Sequence, residues 1–353
     1  KLTDSDMSSA QHKFRMVTAL FQFKNKASTM KILSFTPIAL ATSLLCVTGI
    51  DSFAQSYPAK PVRLVVPFPP GGGTDAIARV VSVKLSAIWG QEMVIENKGG
   101  GATNIGTDAV AKADPDGYTV LLQSVPLGVN RFLMNALPFD PVADLAPVSL
   151  ICDYPNIMAV PMSLPVKTVR EFIDYAKANP GKITYASSGY GTSVHLSGEL
   201  FNRMTGSGLM HVPYRGAGPA FNDLIPGRVH VMFNNSGAVL PFIHGNKLRA
   251  LGVTSSKRMA ALPDVPTIAE AGVPGFDVTG WYAFFVPAKT PPDIIAKFHK
   301  DTVTALADPV IRQRLDQLGV NTIGSTPAEL AAFLKSEMDK WGPLIKAAGI
   351  KAE

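Results

Sequence analysis

The chain has 353 residues, 46% of them hydrophobic and 17% charged, enough for two ordinary domains with real cores. Its formal charge is +6, but residues 1–54 hold six Lys/Arg against three Asp/Glu, which leaves 27 basic and 24 acidic residues in the remainder. That near balance excludes the electrostatic footprint of a nucleic-acid-binding protein, and no nucleic-acid partner is expected.

In chain order, the residues before Met30 are polar and patternless and are set aside from the fold. Met30-Lys31 is a short basic lead, Ile32–Ile50 is mostly apolar, and Ser52-Phe53-Ala54 puts small residues where a signal peptidase reads. This pattern predicts export, with cleavage after Ala54. The apolar run is broken by Thr, Ser and Pro, which favours a signal peptide over a membrane anchor. Cys46 lies inside this segment, and the bulky Leu45 before it argues against a lipoprotein site. Cys152 then stands alone, so no disulfide forms within the mature chain and stability must come from the core.

After Tyr57, strand-like and helix-like stretches alternate. "VRLVVPF" (Val62–Phe68) reads as a strand, and Ile77, Val81, Leu85 and Ile88 line one face of a helix. "EMVIEN" (Glu92–Asn97), a short helix at "GTDAVAKA" and "YTVLLQS" (Tyr118–Ser124) complete a βαβαβ unit with a parallel sheet. A second cycle opens at the capping box Thr168-Val-Arg-Glu171, whose helix buries Phe172 and Ile173 and stops at Asn179-Pro180-Gly181. Then follow "KITYASS", a helix with Leu196, Leu200 and Met204 aligned, "LMHVPY", "AFNDLIPG", "VHVMFN" and "LRALGVT". "WYAFFVP" (Trp281–Pro287) is a further strand, and two amphipathic helices end the chain, the last opened by Thr326-Pro-Ala-Glu329. The terminal helices have no sheet left to build and are expected to return to the first unit. The predicted division is therefore residues 55–155 plus 276–353 as one domain and 156–275 as the other, with a ligand cleft between two α/β domains.

Three glycine-rich turns share one theme. "PFPPGGGTDAIAR" (Pro67–Arg79), "VIENKGGGATNIG" (Val94–Gly106) and "TYASSGYGTSVHL" (Thr184–Leu196) each run from strand through glycines into a helix. Such turns sit at the carboxyl edge of parallel strands, where open α/β sheets bind ligands. Helix N-termini leave amides free to hold a carboxylate or phosphate. Thr74, Thr103, Ser187, Ser188, Thr192 and Ser193 add hydroxyl donors.

Gly71-x-Gly73-x-x-Ala76 formally matches a dinucleotide fingerprint, with Glu96 where a ribose-binding acid could sit. Pro69-Pro70 stiffens that turn, Gly99-Gly100-Gly101 crowds the ribose site, and export removes the chain from the cytoplasmic cofactor pool. Catalytic constellations are missing: His195 has no second histidine four residues away, and Gly191-Thr-Ser193-Val-His195 lacks the last glycine of a nucleophile elbow. His211 and His230 fall in strand patterns and read as packed residues, Cys152 as a buried thiol. Asp75 is an acid in the first turn of a helix, where it complements the dipole. No catalytic residue, cofactor or metal is expected.

"YPAKPVRLVVPFPPGGGTDAIAR", "VIENKGGGATNIGTDAVAKADPDGYTVLL", "YASSGYGTSVHLSGELF", "HVPYRGAGPAFNDLIPGRVHVMF" and "KLRALGVTSSKRMAALPDVPTIAEAGVPGF" occur in this order. With them the chain, from Tyr57 to its end, resembles the tripartite tricarboxylate transporter receptors, the "Bug" extracytoplasmic solute receptors. The resemblance implies a type II periplasmic binding-protein fold that captures a small mono-, di- or tricarboxylate, aromatic acids included, and delivers it to the two subunits of a membrane permease. It assigns one carboxylate to Phe68, Pro70, Gly71, Gly72, Thr74 and Asp75 and to Gly100, Gly101, Ala102 and Asn104. Ser187, Ser188, Thr192 and Ser193 would supply the second domain's contacts, and Asn234 the far end of the ligand. The second turn departs from the family pattern, with Gly-Gly-Gly-Ala-Thr after Lys98, and "MFNN" carries Asn234 where an acid is common, which disfavours an amine on the cargo.

The expected mechanism is reversible capture by a monomer, with hinges near Val148–Asn156 and Gly275–Trp281. Trp281 and Tyr282 stand by the return crossing, as pocket wall or as core. A ligand sensor that signals to a partner and an exported or nucleotide-binding enzyme are the alternatives.

Overall fold

The computed structural model describes residues 57–352. The leader, the cleavage after Ala54 and Cys46 lie outside the described residues. β1 (Val62–Val66) is apolar except for Arg63, whose guanidinium reaches Glu96 at 3.2 Å. Gly72 precedes α1 (Gly73–Trp89), which buries Ile77, Val81 and Leu85 and ends at Gly90 in the left-handed region. β2 (Met93–Asn97), α2 (Asn104–Ala111) and β3 (Thr119–Gln123) follow. α3 (Pro126–Leu133) comes next, a helix with no counterpart in the sequence reading; Pro126 occupies its first turn, where a missing N–H costs nothing.

β4 (Leu145–Pro161) runs for 17 residues where the sequence suggested only a connecting segment. Its prolines hide it: a proline cannot donate to a ladder, and Pro147, Pro155 and Pro161 interrupt the alternation expected of a strand. α4 (Val169–Ala178), β5 (Thr184–Ser187), α5 (Ser193–Thr205), β6 (Met210–Pro213), α6 (Ala217–Leu224) and β7 (Val231–Asn235) form the second cycle. α7 (Ser236–His244), β8 (Leu248–Val253) and β9 (Thr279–Pro287) complete it. Leu196 is buried on α5 as read, but Met204 is 40% exposed, because the inner face turns through Val194, Ser197 and Phe201 instead.

Three helices end the chain rather than two: α8 (Pro292–Ala307), α9 (Pro309–Gln317) and, after the short β10 (Asn321–Thr322), α10 (Pro327–Ala348). Asp308 is extended and its carboxylate accepts from the Val310 and Ile311 N–H groups, so the break before Pro309 is itself a helix start. These helices pack on α1, α3 and β4. Trp89 Nε1 donates to Asp301 at 2.7 Å, Lys84 pairs with Asp308 at 2.5 Å, and Glu337 accepts from the Trp281 and Trp341 indoles.

The strand order is β2-β1-β3-β9-β4-β7-β5-β6, with β8 and β10 also on β4. β4 serves both halves of the sheet. Residues 145–155 pair with β9, and Asn156–Ala159 pair with β7. In the first half β1 lies between β2 and β3, in the second β5 lies between β6 and β7, all parallel. Each half therefore reverses direction once, beside β1 and beside β5, and these two switch points are where an open α/β sheet has room for a ligand. One buried cluster passes through both halves, from Leu121 and Val129 by Trp281 to Phe172, Phe201 and Phe233, and each half has a second cluster on its opposite face.

Candidate functional site

The first turn is shaped by its own acid. Gly71 has φ 85°, open only to a residue without Cβ strain, and its N–H donates to Asp75 Oδ2 at 3.0 Å. The same carboxylate accepts from Arg79 Nε at 2.9 Å and Asn97 Nδ2 at 3.1 Å. Burial raises the Asp75 pKa, but the hydrogen bonds from Arg79, Gly71 and Asn97 outweigh it and hold the carboxyl below its usual range. Asp75 is thus a brace for the turn. Gly72 caps α1 without any side chain, which leaves the first amides of that helix to whatever approaches.

The third turn is braced by neutral imidazoles. The Gly191 N–H donates to His195 Nδ1 at 3.2 Å, and Ser187 Oγ pairs with His211 Nε2 at 2.7 Å. Thr192 caps α5 by accepting from the His195 N–H, while its hydroxyl donates to the Gly189 carbonyl at 2.7 Å. Burial lowers His195 to about 3 and His211 to about 4, so both are uncharged at neutral pH and the 3.9 Å approach of Glu199 to His195 is not an ion pair there. His195, Glu199 and His211 lie close enough together to suggest a metal site. The rings, however, are stacked at 4.4 Å with 27° between their planes, and an ion must lie near both planes to bind both lone pairs. His195 Nδ1 is also already an acceptor. The trio reads as a packed stack, continued by His211 on the Tyr185 ring at 4.7 Å.

Between the two switch points lies one cavity. Four helices start on it: α1 at Gly73 and Thr74, α5 at Thr192 and Ser193, α6 at Gly216 and Ala217, and α7 just after Asn235. Ser124 and Ser188 add hydroxyls, and Phe68 and Pro69 an apolar lip. Tyr154 and Tyr282, from the crossing strands β4 and β9, stack at 4.5 Å and form the floor. The Tyr154 hydroxyl stands 3.4 Å from Ser124 Oγ and from Ser193 Oγ, one in each half. Burial raises both tyrosine pKa values, so both phenols remain protonated donors. Among the described residues, no Lys, Arg, His, Asp or Glu lines the cavity. Its field comes from helix ends and neutral donors, an arrangement that suits an anion and offers a cation nothing.

Of the residues singled out from sequence, Phe68, Gly72, Thr74, Ser188, Thr192 and Ser193 meet at this cavity. Pro70, Gly71 and Asp75 stand outside its lining and shape the turn. Gly100, Gly101, Ala102 and Asn104 also stand outside it, because their turn follows β2 at the edge of the sheet; its Gly99 backs Pro69 instead. Ser187 is buried on His211. Asn234 is buried with its Oδ1 accepting from the Asn235 N–H, and it is Asn235 that lines the cavity. Ser124, Tyr154, Asn235 and the Gly216–Ala217 helix start carried no signal of their own in the sequence. Alternation along β9 would have separated Tyr282, facing the cavity, from Trp281, which donates to Glu337 in the core.

Comparison with known proteins agrees with this architecture. A family model described as the tripartite tricarboxylate transporter family receptor matches residues 77–350. Among solved structures, Rpa4515 of R. palustris with adipate is 36% identical, with a TM-score of 0.82 over 84% of this chain and 99% of that one. The periplasmic binding protein BugD is 35% identical, with a TM-score of 0.81 over 84% of this chain and 100% of its own. MatC (Rpa3494) from Rhodopseudomonas palustris with bound malate is 32% identical, with a TM-score of 0.78 over 82% and 100%. The α/β fold expected from the sequence is the fold of these periplasmic binding proteins.

Proposed function

The chain belongs to the tripartite tricarboxylate transporter receptor family, a family of solute-binding receptors, and from that premise we propose that it is an exported receptor for a small organic carboxylate. The acid sits in the cavity between the two halves of the sheet, which hinge about β4 and β9 and hand their cargo to a membrane permease. One observation carries this reading: four helix N-termini and seven hydroxyl-bearing side chains converge on one cavity that, among the described residues, no charged side chain lines. Thr74 and the first amides of α1 grip one carboxylate; Ser188, Thr192 and Ser193 meet the opposite end of the molecule. Adipate in one relative and malate in another are acids with a carboxylate at each end, the shape such an arrangement fits.

Selectivity follows from what the donors lose. Each buried amide or hydroxyl left unpaired by an uncharged analogue costs about 1–3 kcal/mol. An α-ammonium group finds no carboxylate to pair with, so aspartate should bind more weakly than malate. A thermal-shift panel of mono-, di- and tricarboxylic acids tests this. At a hundredfold excess over its dissociation constant a ligand adds about 2.7 kcal/mol, a rise in melting temperature of about 5 °C. At least one dicarboxylate should produce that rise and the corresponding diamide none. If no acid moves the transition, or the protein turns an acid into product, the reading fails.

A further inference from the structure

We propose that the cleft closes through a glycine socket: Gly191 on the third turn receives Asn130 of α3, which makes Asn130 a positioning residue that ties the second turn to closure. Asn130 is 2% exposed, and its Nδ2 donates to the Ala102 carbonyl at 2.8 Å and to Asn104 Oδ1 at 2.9 Å. The stretch it holds has four successive residues at positive φ: Gly100 at 118°, Gly101 at 55°, Ala102 at 51° and Thr103 at 76°. For Ala102 and Thr103, which carry a Cβ, that conformation is strained and persists only under restraint. Gln123 supplies restraint at Thr103 Oγ1. Thr107 Oγ1 donates to the Thr103 carbonyl at 2.9 Å, and Asn130 holds the stretch at Ala102.

The other end of the same amide faces the opposite half. Asn130 Oδ1 is buried and has no hydrogen-bond partner among the described residues. A Cβ built at Gly191 would overlap this oxygen and lie 3.1 Å from Leu133 Cδ1 and 3.3 Å from Val129 Cγ2. One turn of α3 is thus fitted to a bare Cα. The same device recurs at the lip, where a Cβ at Gly216 would stand 3.1 Å from Pro69 Cγ. Closure strips water from Asn130 Oδ1 and gives it no replacement, so shutting carries a cost that bound ligand must offset. Parting the halves returns that oxygen to water. The contact is therefore both the stop that sets how far the cleft shuts and a bias towards opening when no ligand is held.

This rests on the reading of the cleft as a closing receptor, but its test uses no ligand, so a failed socket and a failed acid panel are read separately. A Cβ at Gly216 would lie 3.6 Å from Pro69 Cβ, within disulfide range, and Cys152 is buried and does not compete. In a Pro69→Cys/Gly216→Cys background, oxidative cross-linking reports the closed lip. Gly191→Ala should slow it roughly tenfold or more, since overpacking is what holds the halves apart. Adding Asn130→Ala should restore it to within about threefold of Asn130→Ala alone, a non-additivity that backbone strain would not produce. Gly181→Ala, at φ 69° with nothing near its Cβ, carries the strain without the obstruction and should change nothing. Asn130→Gln approaches the socket from the other side and should also slow cross-linking, which keeps the test alive if Gly191→Ala does not fold. Parent-like cross-linking in Gly191→Ala or in Asn130→Gln, no restoration in the double variant, or a parent pair that never cross-links would overturn the proposal.

Discussion

Gly73→Ala is expected to weaken carboxylate binding by about a hundredfold or more while the melting temperature stays within a few degrees of the parent. Gly73 opens α1 at the cavity, and a Cβ there would lie 2.6 Å from the Tyr282 hydroxyl and 3.2 Å from Asn235 Oδ1. The methyl would occupy the space through which a ligand oxygen must reach the free amides of the helix. It would also displace the phenol that forms the cavity floor. The backbone itself tolerates alanine, since Gly73 is not among the residues at positive φ. Alanine is also the better helix former by about 1 kcal/mol, which offsets part of the steric cost. Binding and folding should therefore separate. Isothermal titration with whichever acid proves strongest in the thermal panel, beside a denaturation curve, checks both; unchanged affinity would mean that the anion does not sit on the α1 amides.

The second large effect is acid instability centred on the third turn. In an unfolded chain a histidine takes its proton near pH 6.5, whereas His195 and His211 in the fold hold out to about 3 and about 4. Between those values the unfolded chain binds more protons than the folded one, so stability present at neutral pH is lost as pH falls below about 6.5. The slope approaches about 1.4 kcal/mol per pH unit for each histidine, and two units of acid remove several kcal/mol from a fold of ordinary stability. The groups facing this pair are Glu199, beside His195 Nε2, and the rings of Tyr185 and Tyr190. Protonating His195 would turn its Nδ1 into a donor against the Gly191 N–H, so the folded turn keeps a neutral imidazole down to about pH 3. Chemical denaturation between pH 7 and 4 should show this loss, and His211→Gln should make its slope clearly shallower, His195 and the likewise lowered His230 carrying what remains. A flat profile, or an unchanged slope in that variant, would place the acid sensitivity elsewhere.

Local chemistry made much of the fold legible. The capping box at Thr326 appears where the sequence put it, and half of one does at Thr168, because a cap is settled within four residues. Thr168 Oγ1 accepts from the Glu171 N–H, but the Glu171 carboxylate takes the Lys167 N–H instead of that of the cap. The strands of both βαβ cycles also appear, since apolar runs between turn residues need no partner to be recognised. α3, β4 and the α8/α9 break were not legible. Proline interrupts β4, Asp308 starts α9 at the point where it stops α8, and α3 has eight residues whose inner face is chosen by distant neighbours.

At the site the division is sharper. Three glycine-rich turns, a helix behind each and an abundance of hydroxyls were properties of the sequence by itself, and with them the expectation of an anionic ligand, because free amides at helix starts follow from glycine and capping wherever the chain goes. Which turns share a cavity was decided only by the strand order, which sets the first and third turns at switch points and leaves the second behind at an edge. Which of two neighbours faces that cavity, Asn235 rather than Asn234 or Tyr282 rather than Trp281, was decided by β-sheet register. Register is fixed by pairing between residues far apart in the chain, as Asn156 with Asn235 and Tyr154 with Gly280, and no short stretch of chain contains that information.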